Sequence, residues 1–187
     1  MSSFAAVLDA CVLVPAPLCD ILLRAASADL YQLYWTDDIL EEVRRTLVQD
    51  LSKSADQAQR RVDAMKAAFP HALISHHTSL ISSMPNDPKD RHVLAAAVAS
   101  QAQVIVTSNL RHFLRTALAP FGVEAQSPDR FLTHLFDIDP QLVASVIVRQ
   151  ARALRQPPMA ASNILDSLAK HAPMFVSRAR PLVKGDG

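Results

Sequence analysis

The sequence predicts an α/β fold with a central parallel sheet, followed by a C-terminal α-helical extension. Short apolar runs that are typical of buried strands alternate with segments whose apolar residues recur at helical spacing. This alternation predicts parallel strands joined by right-handed helical crossovers. After Pro128 the strand-like runs stop and helical patterns continue. The 187 residues suit one domain with an extension, and we place these at residues 1–131 and 132–187.

Five apolar or β-branched runs predict the strands, and periodic segments predict the helices. The predicted strands are residues 4–8, 31–35, 72–75, 104–107 and 122–125. The predicted helices are residues 18–28, 37–47, 54–68, 88–101, 113–118, 131–136, 140–154 and 163–170. Thr36 and Asp87 are expected to be N-caps of the helices that follow them. We expect a break at residues 156–159 and a frayed tail from residue 183.

The composition excludes several functional classes. The chain has three glycines, of which only Gly122 lies outside the last three residues, so glycine-rich dinucleotide-binding loops and Walker loops are excluded. A formal net charge of +1 gives no field for general binding to nucleic acids or membranes. The sequence offers neither a run of about 18 apolar residues nor an export signal. We therefore expect a cytoplasmic protein without a membrane span, in which Cys11 and Cys19 are reduced, buried and inert.

Polar residues follow two predicted strands at the sheet edge where parallel α/β proteins bind ligands. Asp9 follows the first strand, and Asn109 follows the strand at residues 104–107. Asp90 lies on the apolar stripe of its own helix, three residues before Val93, so it is expected to face the sheet. A buried carboxylate is costly unless it is paired or binds a cation. Each residue alone has an ordinary role as a cap or turn residue, but their convergence favours a cation site.

The adjacent acids of the helix after Thr36 are distinguished by their angular positions. At about 100° per residue, Glu42 lies nearer the centre of the apolar stripe than Glu41. Glu41 is expected to pair with Arg45 on the solvent side. Asp87 has an ordinary role as an N-cap, so it is expected only to support the site.

The predicted donor set consists of Asp9, Glu42 and Asp90 as metal ligands, with Asn109 supplying a neutral oxygen. Oxygen ligands alone suit hard cations such as Mg²⁺ or Mn²⁺. Such ions neutralise phosphate oxygens and lower the pKa of bound water. The sequence therefore predicts metal-assisted attack of water on a phosphodiester.

Four segments in the same order resemble a known family. They are residues 7–13, 39–44, 87–97 and 104–113. The chain resembles a PIN-domain ribonuclease of the VapC-like kind, the toxins of type II toxin–antitoxin pairs, over about residues 4–131. The resemblance implies a three-layer α/β/α fold with an acidic Mg²⁺/Mn²⁺ site that cuts RNA. It also implies a homodimer and a cognate antitoxin. The helical extension resembles a C-terminal region of one PIN subgroup.

The resemblance assigns the family's first three acids to Asp9, Glu42 and Asp90. The family's Thr-x-Asp position falls on residues 107–109, where this chain has Asn109 instead of the aspartate of many members. His112 likewise is not the acid that often follows shortly after. These departures support a second hypothesis, in which the chain is a catalytically silent PIN-like protein that binds RNA or a protein partner.

Several other residues near the predicted site have expected roles. Thr107 and Ser108 are expected to orient Asn109 or a ligating water. Arg91 and Arg111 are predicted to bind RNA phosphates, with a solvated surface position as the alternative. We expect the His92 side chain to point away from Asp90. His112 is expected to be a solvated surface residue, with contact to a substrate phosphate as the alternative.

Overall fold

A computed structural model describes residues 4–153 and 160–183. The strands are β1 (Ala5–Leu8), β2 (Gln32–Tyr34), β3 (Val104–Val106) and β4 (Glu124–Gln126). The helices are α1 (Ala10–Leu13), α2 (Ala16–Ser27), α3 (Asp37–Gln49), α4 (Ala55–Ala68), α5 (Arg91–Ser100), α6 (Arg115–Leu118), α7 (Pro128–Ile138), α8 (Pro140–Ala153), α9 (Ala161–Leu168) and α10 (Pro173–Val183). Short 3₁₀ turns cover Thr78–Ser83, Pro88–Asp90, Leu110–His112 and Ala119–Phe121.

The described residues form two compact units. The sheet unit contains residues 4–14 and 31–126, and the helical unit contains residues 15–30, 127–153 and 160–183. Helix α2 therefore belongs to the helical unit, although it lies within the predicted domain 1–131. The predicted domain limits stay a prediction.

The sheet unit contains a four-stranded parallel sheet in the order β2-β1-β3-β4. Its two central strands pair from Ala6↔Val104 to Leu8↔Val106, so their carboxyl ends lie side by side. This arrangement confirms the predicted parallel α/β sheet, and the C-terminal helices confirm the helical extension. The predicted strand at residues 72–75 reduces to one isolated parallel bridge, Trp35↔Leu73.

The helices of the sheet unit begin at polar caps. The Thr36 hydroxyl accepts a hydrogen bond from the Ile39 N–H at 3.2 Å, which confirms the predicted N-cap of α3. Ser54 and Gln57 form a reciprocal capping box at the start of α4. The predicted helix at residues 88–101 begins later, because Pro88–Asp90 forms a 3₁₀ turn and α5 starts at Arg91.

The helical unit contains one helix more than the sequence predicts. Asp129 of α7 accepts hydrogen bonds from the Phe175 N–H at 2.9 Å and the Met174 N–H at 3.3 Å, at the first turn of α10. Val183 is a buried residue of α10, so the frayed tail does not begin there. The predicted break at residues 156–159 and the rest of the tail lie outside the described residues.

Among the described residues, no single helix has the length and apolar character needed to cross a bilayer. Helices α7 and α8 meet that criterion only when taken together, and they are bent by 120° at their junction.

Candidate active site

The carboxyl ends of the two central strands place Asp9 beside Thr107. Asp9 directly follows β1, is 3% exposed, and donates its N–H to the Val106 carbonyl at 3.1 Å. The Thr107 hydroxyl donates to Asp9 Oδ2 at 2.6 Å and accepts the Asn109 N–H at 3.0 Å. Thr107 therefore fixes the Asp9 carboxylate and anchors the following loop. Asn109 enters this network through its backbone N–H.

Cys11 completes the hydrogen bonding of Asp9. Its thiol donates to Asp9 Oδ2 at 3.1 Å, and its sulfur accepts the Ser108 N–H at 3.2 Å. Burial, followed by the charge of Asp9, raises the pKa of the Cys11 thiol to about 12. The thiol thus stays protonated and remains a donor. Cys11 is a free thiol as predicted, but it is half-buried and hydrogen-bonded and not a buried hydrophobic residue, whereas Cys19, 4% exposed, is buried as predicted.

Asp90 and His112 form the second part of the site. Asp90 Oδ2 lies 2.8 Å from His112 Nδ1, and the Arg111 Nε–H donates to His112 Nε2 at 3.1 Å. Because Nε2 is an acceptor, Nδ1 carries the ring proton and donates it to Asp90. His112 is half-buried, so the prediction that it is a solvated surface residue is wrong. In the sequence, the sign that His112 belongs to the site was its position in the turn shortly after β3.

Burial and neighbouring carboxylates affect the pKa of the Asp90 carboxyl. Burial raises its pKa most, the hydrogen bond from His112 opposes this, and the charges of Asp9 and Asp87 raise it further. Asp9 and Asp87 are therefore close enough to Asp90 to repel its ionised form. A cation would relieve this repulsion, because it neutralises several carboxylates at once.

Three side chains have donor atoms spaced as a metal site requires. In the described part of the chain, Asp87, Asp90 and His112 form the group whose ligand atoms all lie within 4.8 Å of one another. Asp87 also accepts the Lys89 N–H at 3.1 Å, which confirms its predicted capping role. The adjacent Asn86 is 6% exposed, and neither atom of its side-chain amide has a hydrogen-bond partner. Asp9 and Glu42 are outside this group, and their roles as metal ligands stay predictions.

Glu42 is less exposed than Glu41, and the two acids have different partners. The Glu42 side chain is 33% exposed, whereas that of Glu41 is 56% exposed. Glu41 forms a bidentate ion pair with Arg44, not with the predicted Arg45. Glu41 therefore pairs with the arginine three positions further along the helix and not with the one four positions further along. His92 Nε2 lies 3.7 Å from Glu42 Oε2, which is an ion-pair distance but too long for a hydrogen bond.

His92 connects Glu42 with the other acids of the site. Burial lowers the pKa of His92, but Glu42, Asp38 and Asp9 together outweigh burial and raise it. The charges of three carboxylates, those of Glu42, Asp38 and Asp9, therefore act on His92. We expected its side chain to point away from the site, because Asp90 was placed in the same α-helix. Asp90 instead precedes α5, so helical spacing does not relate the two side chains.

Cationic side chains lie close to these acids. Arg111 is exposed and bonded to His112, and the Arg91 Nε–H reaches the Asn86 carbonyl at 3.5 Å. Lys89 is also exposed. The predicted phosphate-binding residues are thus neighbours of the acidic group, and their role stays a prediction.

Comparison with known proteins decides the family. The family model described as "PIN domain" matches residues 5–111, more than half of the chain. The chain belongs to the PIN-domain family. A second family model, "VapC50 C-terminal domain", matches residues 128–181 of this PIN-domain protein.

A curated relative of this PIN-domain protein is "Putative ribonuclease VapC50" of Mycobacterium tuberculosis (strain ATCC 25618 / H37Rv). The two sequences are 42% identical over 106 residues, which cover 57% of this chain and 63% of the relative. The matched region thus spans less than two thirds of the relative's own length. No solved structure matches the chain.

Proposed function

We propose that this PIN-domain protein is a divalent-metal-dependent endoribonuclease that hydrolyses RNA phosphodiester bonds and acts as the toxin of a toxin–antitoxin pair. The observation that carries the proposal is that the half-buried Asp90 carboxyl lies beside Asp87 and His112 and close enough to Asp9 to feel its charge. Family membership and the printed name of the 42% identical relative support the same activity.

The donor set fits a divalent ion. Asp87 and Asp90 supply carboxylate oxygens within 4.8 Å of a third donor, and Asp9 adds charge nearby. Burial is the main cause of the raised pKa of Asp90, and the charges of Asp9 and Asp87 add to it, so the ion-free site disfavours the ionised Asp90 carboxylate. Mg²⁺ and Mn²⁺ are the ions that carboxylate oxygens favour. We propose that Asp9, Glu42 and Asp90 hold this ion, with Asn109 completing the set directly or through water.

Residues of the chain would have separate roles in phosphodiester hydrolysis. When bound, a divalent ion lowers the pKa of a water molecule and neutralises charge on a phosphate oxygen. Thr107 and Cys11 hold Asp9 in one orientation through Oδ2. His92 lies beside Glu42, with Nε2 3.7 Å from Glu42 Oε2. Arg91 and Arg111 would bind the phosphates on either side of the cleaved bond.

Cleavage of RNA tests this proposal. The full chain, incubated with single-stranded RNA and Mg²⁺ or Mn²⁺, is expected to cut it, and Asp90→Asn is expected to reduce the rate at least about 100-fold. Asp50→Asn is the matched control, because Asp50 is an exposed aspartate at the end of α3. Equal cleavage by Asp90→Asn and the parent would remove Asp90 from the mechanism.

A catalytically silent binding protein is the second candidate. Asn109 favours it, because its side-chain amide lacks the charge of a carboxylate. In the network around Thr107, Asn109 takes part through its backbone N–H. Calorimetric titration with Mn²⁺ separates the candidates. Binding tighter than about 1 mM (about −4 kcal/mol) that Asp9→Ala abolishes supports the nuclease. Absent metal binding together with intact RNA binding supports the silent protein.

The proposed toxin would have a cognate antitoxin and form a homodimer, as the family resemblance implies. Expression in a bacterial host is expected to arrest growth, and Asp90→Asn is expected to relieve the arrest. Light scattering of the purified chain tests the homodimer directly. A monomeric mass at micromolar concentration would contradict it.

A further inference from the structure

We propose that His112 is a nitrogen ligand of the metal in this site, so that the site prefers a first-row transition-metal ion of the Mn²⁺ class to Mg²⁺. The inference rests on the proposed function, because it names the metal that the same site would use. It adds a nitrogen donor to the oxygen donors proposed above, so that the donor set is mixed.

The spacing of the donor atoms supports ligation by His112. His112 Nδ1 and Asp90 Oδ2 are 2.8 Å apart, and Asp87 offers an oxygen within 4.8 Å of both. Neighbouring ligands of an octahedral ion with bonds of about 2.1 Å lie about 3 Å apart. In the ion-free protein this separation is that of the hydrogen bond between Nδ1 and Oδ2, and an ion held by both atoms would take the place of its proton.

The backbone holds the two loops that carry these donors together. The Asp87 N–H points to the His112 carbonyl at 3.4 Å, and the Asp90 N–H donates to the Asp87 carbonyl at 2.9 Å. The His112 N–H donates to the Asn109 carbonyl at 2.9 Å, which closes the turn after β3. Ligands fixed in this way lose little conformational freedom when an ion binds.

The imidazole can act as a ligand after a change of tautomer. In the ion-free protein Nδ1 holds the ring proton, and Nε2 accepts the Arg111 Nε–H. Ligation by Nδ1 requires that its proton leaves to solvent and that Nε2 takes up a proton, so the ring stays neutral. The Arg111 side chain is exposed and can leave Nε2 without exposing a buried charge.

The donor chemistry determines the choice of metal. Mg²⁺ prefers oxygen ligands, whereas imidazole is a common ligand of first-row transition metals. A nitrogen donor beside two carboxylates therefore favours Mn²⁺ or a later ion over Mg²⁺. Replacing His112 with an aspartate would restore oxygen donors and reduce this preference.

Pulsed electron paramagnetic resonance of bound Mn²⁺ tests the proposal independently of cleavage. The full chain with substoichiometric Mn²⁺ is expected to show echo modulation from a directly bonded nitrogen. Labelling the histidines with ¹⁵N should change that modulation, and His112→Asp should abolish it. His71→Gln, which removes an exposed histidine of the same unit, should leave it unchanged. In calorimetry, His112→Asp should lower the ratio of Mn²⁺ to Mg²⁺ affinity about tenfold or more.

The outcomes separate this inference from the proposed function. Mn²⁺ binding without a histidine nitrogen signal, or a signal that persists in His112→Asp, overturns the inference and leaves the nuclease proposal standing. A signal that depends on His112 without any RNA cleavage supports the metal ligand and contradicts the nuclease. If His112→Asp does not fold, ¹⁵N labelling of the parent still decides whether a histidine binds. Failure of the parent to bind Mn²⁺ while it cleaves RNA with Mg²⁺ overturns the inference alone, whereas failure to bind either ion overturns both proposals.

Discussion

The ionised form of the Asp90 carboxyl is disfavoured in the ion-free protein, because its pKa is raised. Burial and the charges of Asp9 and Asp87 outweigh its hydrogen bond from His112, so the folded protein binds a proton at Asp90 more tightly than the unfolded chain does. The contribution of Asp90 to stability is therefore present below its ordinary pKa and is lost as the pH rises through the folded value. At neutral pH the ionised group destabilises the fold until a cation arrives.

Asp90→Asn is accordingly expected to stabilise the ion-free protein while it removes activity. The melting temperature in EDTA at pH 7 should rise by roughly 2–4 °C, the shift that about 1 kcal/mol produces in a chain of this size. Added Mn²⁺ should raise the melting temperature of the parent but not that of Asp90→Asn. A lower melting temperature of Asp90→Asn in EDTA would contradict this account of its charge.

His92→Gln is expected to flatten the pH dependence of stability above pH 6.5. The carboxylates of Glu42, Asp38 and Asp9 raise the pKa of His92 above its ordinary 6.5 despite burial. The stabilisation from protonated His92 is therefore complete below pH 6.5 and is lost as the pH rises through the folded value. Denaturant unfolding in EDTA between pH 6 and 8 measures the slope. His71→Gln should keep the parent's slope, and an unchanged slope in His92→Gln would remove His92 from the acidic network.

Two buried threonines offer a matched comparison. Thr107→Val removes the hydroxyl that donates to Asp9 Oδ2 and accepts the Asn109 N–H, so both groups lose a partner. This change should cost about 1–3 kcal/mol of unfolding free energy. Thr133 is 8% exposed and its hydroxyl has no hydrogen-bond partner, so Thr133→Val should be neutral or stabilising. Denaturant unfolding measures both, and equal effects would show that the Thr107 hydrogen bonds contribute little.

Secondary elements could be predicted where local chemistry determines them. Thr36 caps α3 as expected, and β1 and β3 end next to Asp9 and Thr107, as their apolar runs indicate. The segment at 72–75 failed to form a strand because it pairs with Trp35 at a single bridge before the chain turns away. Long-range pairing of this kind depends on neighbours that a local pattern does not contain.

The parts of the site that the sequence did not reveal depend on contacts between distant segments. His112 reaches Asp90 across 22 positions, and Cys11 reaches Thr107 across 96. Asp90 was expected in the first turn of an α-helix, but it ends the 3₁₀ turn Pro88–Asp90 and directly precedes α5. The sequence proposed Asp9, Glu42 and Asp90 as candidate ligands, and these roles stay predictions, whereas the hydrogen-bond partners became visible only in the three-dimensional arrangement.

The N-caps of α3 and α4 are expected to differ in their effect on Mn²⁺ affinity. Thr36→Ala and Ser54→Ala each remove a side-chain bond to a helical N–H and should each cost about 1 kcal/mol. Helix α3 carries Glu42, so Thr36→Ala should also lower Mn²⁺ affinity. Helix α4 carries none of the proposed ligands, so Ser54→Ala should leave that affinity unchanged. Calorimetry together with unfolding measures both effects, and a parallel loss of affinity in both variants would refute the distinction.

For the molecule as a whole, charge is nearly balanced, with 19 Lys and Arg against 18 Asp and Glu. A general positive field therefore cannot hold RNA, and the local cations beside the acids must do so. These cations are Lys89, Arg91, Arg111 and Arg115. Affinity that depends on so few phosphate contacts should respond only moderately to salt.

The salt dependence of RNA binding tests this view. In the Asp90→Asn background, which prevents cleavage, four phosphate contacts predict a slope of log affinity against log salt of about −3. Arg111→Ala should reduce the slope by about 0.7. Arg60→Ala, an exposed arginine on α4, should not change it. Fluorescence anisotropy between 50 and 300 mM KCl measures these slopes. A slope much steeper than −3, or one lowered equally by Arg60→Ala, would mean that RNA contacts a surface well beyond the acidic site.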